Sequence, residues 1–104
     1  FREHIKNLIR SALIAGECSA AVIAALVHLC PRTLMRRLKL SGTSVRILLD
    51  ETRFELAKRM LENTSLQVCE IADALGYSRA SSFDRAFRRW SGDTPEVWRE
   101  NNGA

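Results

Sequence analysis

Arg32, Arg36 and Lys39 in one segment, and Ser81, Arg85 and Arg88 in another, form two matching triplets of polar side chains. A guanidinium is a permanently charged planar fork of donors, suited to paired acceptors such as phosphate oxygens or a purine edge. Around the triplets lie the hydroxyls Thr33, Ser82 and Thr94, the cation Arg89, the acid Asp84 and two apolar residues, Met35 and Ala80. This is the chemistry of recognition. Catalysis has little to work with. His4 and His28 have no partner at metal-ligand spacing, and Cys18, Cys30 and Cys69 are odd in number with no CxxC pair. Neither a metal site nor a disulfide framework is expected. Cys30, beside Pro31, reads as a small cap residue rather than a nucleophile, and no glycine-rich phosphate loop is present. The expectation is no enzyme, no cofactor and no metal.

The elements that carry these residues follow from composition and periodicity. The 104 residues, 46% hydrophobic, suit one folded domain. No apolar run approaches the ~18 residues of a membrane span, and the cysteine usage fits a reducing cytoplasm. The chain starts at Phe1 without Met, so it is expected to be the C-terminal fragment of a longer protein. The net charge of +4 is modest, but its distribution is uneven. No acid occurs between Glu17 and Asp50, where Arg32, Arg36, Arg37, Lys39 and Arg46 lie, and Arg79, Arg85, Arg88 and Arg89 form a second cluster. Two basic patches on an otherwise balanced domain point to a polyanion partner.

Along the chain, about seven helices are expected and no strand. Ile5, Leu8, Ile9, Ala12 and Leu13 give Phe1–Ala15 a helical stripe, which Gly16 ends. Ser19 is placed to cap Ala20–Val27. Pro31 opens a helix to about Leu40 with Leu34 and Leu38 inward, stopped by Ser41-Gly42-Thr43. A longer helix, about Ser44–Asn63, shows two apolar faces. One is Val45, Leu48, Leu49, Thr52 and Leu56; the other is Ile47, Phe54, Ala57 and Leu61. A helix apolar on two sides is expected to be a spine buried from both. A short helix, Glu70–Leu75, is followed by Gly76, which suits positive φ, by Tyr77, and by Ser78 as the expected cap of the next helix. There Phe83, Ala86, Phe87 and Trp90 line one side, with Ser81, Arg85 and Arg88 opposite. Such a helix is built to be held by protein and pressed into a groove. Thr94 and Pro95 open a closing helix docked by Val97 and Trp98, and Asn101–Ala104 is expected to fray.

The two helix-turn-helix segments are an internal repeat. Ile23, Ala24, Val27, Leu29 and Cys30 match Ile71, Ala72, Leu75, Tyr77 and Ser78 at an offset of 48. After an inserted residue, Leu34, Arg36 and Leu38 match Phe83, Arg85 and Phe87 at 49, and Ser41-Gly42 match Ser91-Gly92 at 50. One such pattern arises often by chance; two with the same outward triplets do not.

With EIADALGYS followed by SSFDRAFRRWSGDTP, and with CPRTLMRRL and GTSVRILLDETRFELAKRML before them, about Ser19–Arg99 resembles the DNA-binding domain of AraC/XylS-family bacterial transcription regulators. The resemblance implies an all-α domain. Helix-turn-helix unit one spans about 19–42, a linker helix 44–63, unit two about 67–92 and a closing helix 94–101. It also implies a separate effector or dimerisation domain elsewhere in the full chain, and base-reading roles for the outer faces of Pro31–Leu40 and Arg79–Trp90. His28 stands where the family has a turn glycine, Met35 where a polar residue is common, and Cys30 and Gln67 where Ser caps are usual.

On this reading the partner is double-stranded DNA, and the base-reading candidates are Arg32, Met35, Arg36, Ala80, Ser81, Asp84 and Arg85. Arg36 and Arg85 match guanine O6 and N7, or else hold phosphate. Asp84 accepts from cytosine N4 or orients a nearby arginine, and Met35 and Ala80 suit a thymine methyl. Phosphate candidates are Thr33, Lys39, Ser82, Arg88, Arg89 and Thr94, the last through helix N-terminal N–H groups. The expected function is transcription regulation, by activation, in the bacterial cytoplasm at the nucleoid. A competing reading is a helical interaction module docking on RNA polymerase through Asp50, Glu51, Glu55 and Glu62.

Overall fold

The computed structural model describes residues 1–103. Seven helices follow one another: α1 (Arg2–Ala15), α2 (Ala20–Leu26), α3 (Pro31–Leu40), α4 (Val45–Asn63), α5 (Val68–Ala74), α6 (Ala80–Ser91) and α7 (Pro95–Asn102). No strand occurs among the described residues, so the fold is all-α. The chain forms two compact units, Phe1–Thr52 and Arg53–Ala104, whose boundary falls within α4.

In the first unit, α1 ends where Gly16 takes φ 76° and returns its N–H to Leu13. Ser19 caps α2, its Oγ accepting from Val22 N–H at 3.1 Å. The core is Ile5, Ile9, Ala12, Leu13, Ile23, Ala24, Leu34, Leu38 and Leu48, all buried. Thr52 is also buried and donates its hydroxyl to Leu48 O at 2.8 Å, so its polar group is satisfied within the helix. Lys6 of α1 pairs with Glu51 of α4 at 3.5 Å.

In the second unit the core is Ala57, Leu61, Ile71, Ala72, Leu75, Phe83 and Phe87. Around it Phe54, Phe87 and Trp98 make edge-on ring contacts, with Phe54–Phe87 at 5.5 Å and Phe87–Trp98 at 5.8 Å. Such pairs add directionality to the burial of large rings. Gln67 and Glu70 form a reciprocal capping box at the start of α5, so glutamine serves as cap here.

Several expectations need correction. Of the second apolar face assigned to α4, Ile47 is exposed rather than buried. The other buried members are the expected ones: Leu48 and Thr52 of the first face are buried in the first unit, and Ala57 and Leu61 of the second face in the second unit. Val97 is exposed, and Pro95 and Trp98 seat α7 in its place. Asn101 and Asn102 belong to α7, whose end Asn102 ties by donating to Trp98 O at 3.0 Å. Ala104, the last residue expected to fray, lies outside the described residues.

Candidate nucleic-acid interface

The two turns that aim α3 and α6 are built alike. After α2, His28 N–H bonds Ala25 O and Leu29 N–H bonds Ala24 O; after α5, Gly76 N–H bonds Asp73 O and Tyr77 N–H bonds Ala72 O. Both are the paired backbone closure that ends a helix with one left-handed residue. That residue is Gly76 at φ 88° in the second unit and His28 at φ 57° in the first. The first turn therefore keeps its geometry without glycine, and the side chain carries the cost of the left-handed backbone. The cap assigned to Ser78 is corrected: α6 starts after Arg79, which takes extended φ −139° and ψ 139°. The N-caps Cys30 and Arg79 are thus equivalent, and the residue gained by the second unit falls inside its turn.

On α3, full burial of Leu34 and Leu38 turns Arg32, Met35, Arg36 and Lys39 to the surface, with Met35 61% exposed. Thr33 is half-buried, its Oγ1 3.1 Å from Cys30 Sγ, and this hydrogen bond is the first cause lowering the Cys30 thiol below its ordinary value. Thr33 is therefore engaged at the cap. Arg37 lies 5.8 Å from the ring of Phe1.

On α6, burial of Phe83, Ala86 and Phe87 leaves Ala80, Ser81, Arg85, Arg88 and Arg89 exposed. Arg85 Nε reaches Ser81 O at 3.5 Å, one turn back along the helix. Ser82 is half-buried. Asp84 is also half-buried, and its Oδ1 is shut from solvent without a hydrogen-bond partner. Burial first, and the charge of Glu96 second, push its carboxyl above the ordinary range. At α7, Thr94 Oγ1 accepts from Val97 N–H at 3.3 Å, so its hydroxyl is used as a cap. No side-chain cap closes α3 or α6, whereas Ser19, Gln67 and Thr94 close α2, α5 and α7. Uncapped first-turn N–H groups suit an anion.

Two positioning residues escaped the sequence reading. Arg53 donates from Nε to Leu75 O at 3.0 Å and lays its guanidinium 4.7 Å from the Tyr77 ring, clamping the turn before α6. Arg99 donates to Leu61 O at 3.1 Å and Leu66 O at 2.6 Å, gripping the chain as it leaves α4. The available signal for Arg53 was its place four residues before Ala57 and eight before Leu61, in line with a buried stripe. The acids considered for polymerase contact are partly engaged within the fold: Asp50 pairs with Arg46 at 3.4 Å and Glu51 with Lys6. No helix among the described residues is long and apolar enough to cross a membrane. No group of three or more His, Cys, Asp or Glu among them is placed to hold a metal.

Comparison with known proteins agrees with this geometry. A helix-turn-helix domain family profile matches residues 23–101. The HTH-type transcriptional regulator VirS of Mycobacterium tuberculosis is 40% identical over 101 residues, 97% of this chain. The chain spans 30% of that relative's length. Among solved structures, a DNA-binding transcriptional dual regulator from Escherichia coli K-12 matches with a TM-score of 0.89 at 29% identity, over 97% of this chain and 90% of that one. The DNA-binding domain of AdpA, solved with a target DNA, matches with a TM-score of 0.76 at 26% identity, over 93% and 90%.

Proposed function

This chain belongs to the AraC-type family of helix-turn-helix DNA-binding transcription regulators, and from that premise we propose that it reads bases through the outer faces of both α3 and α6, in successive major-groove segments of one duplex. One observation carries the proposal. Arg36 and Arg85 occupy equivalent places in the two units, both exposed, on helices whose opposite faces are fully buried. A guanidinium so placed has its stem fixed by the helix and, with Arg85 Nε turned back to Ser81 O, its two terminal nitrogens directed to guanine O6 and N7. Arg32, Met35, Ala80 and Ser81 flank these arginines as further base contacts. Asp84, half-buried and unpartnered at Oδ1, meets a base only after turning outward. Lys39, Arg88 and Arg89, towards the C-terminal ends of the reading helices, hold phosphates, with Thr33, Ser82 and the start of α7 at Thr94 beside the backbone.

The regulator acts on chromosomal DNA in the bacterial cytoplasm, as an activator, with an effector or dimerisation domain setting its state. The test is selection of bound sites from random double-stranded DNA. Two separated blocks of preferred bases are the expected result. A single block would leave one reading helix, and α6 would be that helix, because Met35 offers α3 no hydrogen bond.

A further inference from the structure

Met35, Arg36, Lys39, Thr43 and Ser44 line an open recess of about 340 Å³ between the flank of α3 and the start of α4, within the first unit. Its wall is almost wholly apolar. Arg36 and Lys39 are exposed, so what they give the wall is their methylene stems, with the charged heads at the rim. Thr43 is 6% exposed and its Oγ1 is shut from solvent, so what it shows the recess is carbon. Met35 is an unbranched, polarizable side chain that adapts to an irregular occupant.

The wall and the rim together select the occupant. An apolar wall gives a water too few partners and offers a phosphate no donors. An open recess covers too little of a free small molecule to hold it. The rim carries Arg36 and Lys39, with Arg32 one turn away, and favours a polyanion. The occupant is therefore an apolar group attached to a polyanion, and the major groove presents one such group, the C5-methyl of thymine. Resting on the reading of DNA by α3, we propose that this recess takes the C5-methyl group of a pyrimidine. The first unit then reads a methyl group at this position in place of a hydrogen-bond pattern. Thr43 and Ser44, outside the reading helix, become specificity residues. Because 5-methylcytosine carries the same methyl, the recess accepts it over cytosine.

The experiment measures binding of the 104-residue chain to a selected site in which each thymine is replaced in turn by deoxyuracil. Burial of one methyl group corresponds to a loss of about fourfold in affinity, expected at one position of the first unit's half-site. At that position, 5-methylcytosine should bind about fourfold better than cytosine. Met35→Ala, at a surface position, should bring the thymine-to-uracil ratio toward one, while Thr43→Val, which keeps the carbon wall, should preserve it. No response to methyl removal, with Arg36→Ala still relaxing base preference, overturns the recess and leaves base reading by α3 standing. No response in either experiment removes base reading by α3 as well. A ratio unchanged in Met35→Ala also overturns the proposal, because the methyl then lies against another wall.

Discussion

At the scale of single residues, Arg85 and Arg89 lie four residues apart on α6 and are both exposed, yet the proposal gives them different work. Arg85→Ala is expected to weaken specific binding by roughly 1–3 kcal/mol and to relax preference at one base pair. Arg89→Ala is expected to lower affinity on every sequence and to flatten the salt slope by about one unit. Titrations against matched and mismatched sites at several salt concentrations separate the two; an equal loss on all sequences for Arg85→Ala would make it a phosphate contact. Asp84 carries a prediction about pH. Burial and Glu96 raise its folded pKa, so the folded state holds that proton more tightly than the unfolded state does. The ionised carboxylate therefore destabilises the fold at neutral pH. The penalty lifts as pH falls through the raised value and is gone below the ordinary one. Asp84→Asn should raise Tm at pH 7 and lose that advantage as the pH is lowered. A gain independent of pH would acquit the carboxylate.

Elements turn these residues into a surface. The first turn holds φ 57° on His28 with the same backbone bonds that Gly76 makes in the second. Glycine reaches that region without the Cβ penalty, so His28→Gly is expected to stabilise by about 0.5–1 kcal/mol after its greater unfolded-state entropy is offset. A loss of stability in thermal unfolding would show that the imidazole makes a contact worth more than the strain. Phe83 is fully buried beneath α6, against Tyr77 at 5.6 Å and Phe87 at 5.8 Å. Phe83→Ala should cost roughly 3–5 kcal/mol through the cavity it leaves. DNA affinity measured well below the midpoint of unfolding should fall with it, since α6 loses its seat; an unchanged Tm would contradict the packing.

At the scale of the whole molecule, α4 runs unbroken through both units for 19 residues, about 28 Å. Successive major-groove segments on one face of B-DNA recur about every 34 Å, or 10–10.5 bp. The two reading faces differ, Arg32-Met35-Arg36 against Ser81-Asp84-Arg85, so the proposal calls for an asymmetric site of roughly 16–20 bp read by one chain. Inserting about 5 bp between its halves turns one half to the far side of the duplex and should abolish the joint contribution to affinity. Footprinting and binding on the inserted site check this. A footprint near 8 bp, or indifference to the insertion, would mean that one unit reads alone.

Much of this molecule is written in short-range patterns. The spacing of Leu34 with Leu38, and of Phe83 with Ala86 and Phe87, sets which side of each reading helix is buried, and therefore that Arg36 and Arg85 face outward. Gly16 and Ser19 end one helix and start the next through bonds spanning three to five residues, within reach of local reading. The repeat was legible for the same reason, because each copy carries its own stripe and its own turn. Contacts between elements were not. Ile47 and Leu48 are neighbours of equal hydrophobicity, and packing alone leaves the first exposed and the second buried. Arg53 and Arg99 look like surface cations until the fold brings the carbonyls of Leu75 and Leu61 to them across 22 and 38 residues. Asp84 and Met35 occupy matching places in the repeat, but only Asp84 has a carboxyl oxygen shut from solvent and feels the charge of Glu96. The recess beside Met35 needs Thr43 and Ser44 folded back against α3, a juxtaposition with no periodicity to announce it. Periodicity determines which way a helix faces; only tertiary packing decides what it faces, because that depends on residues far away in the chain.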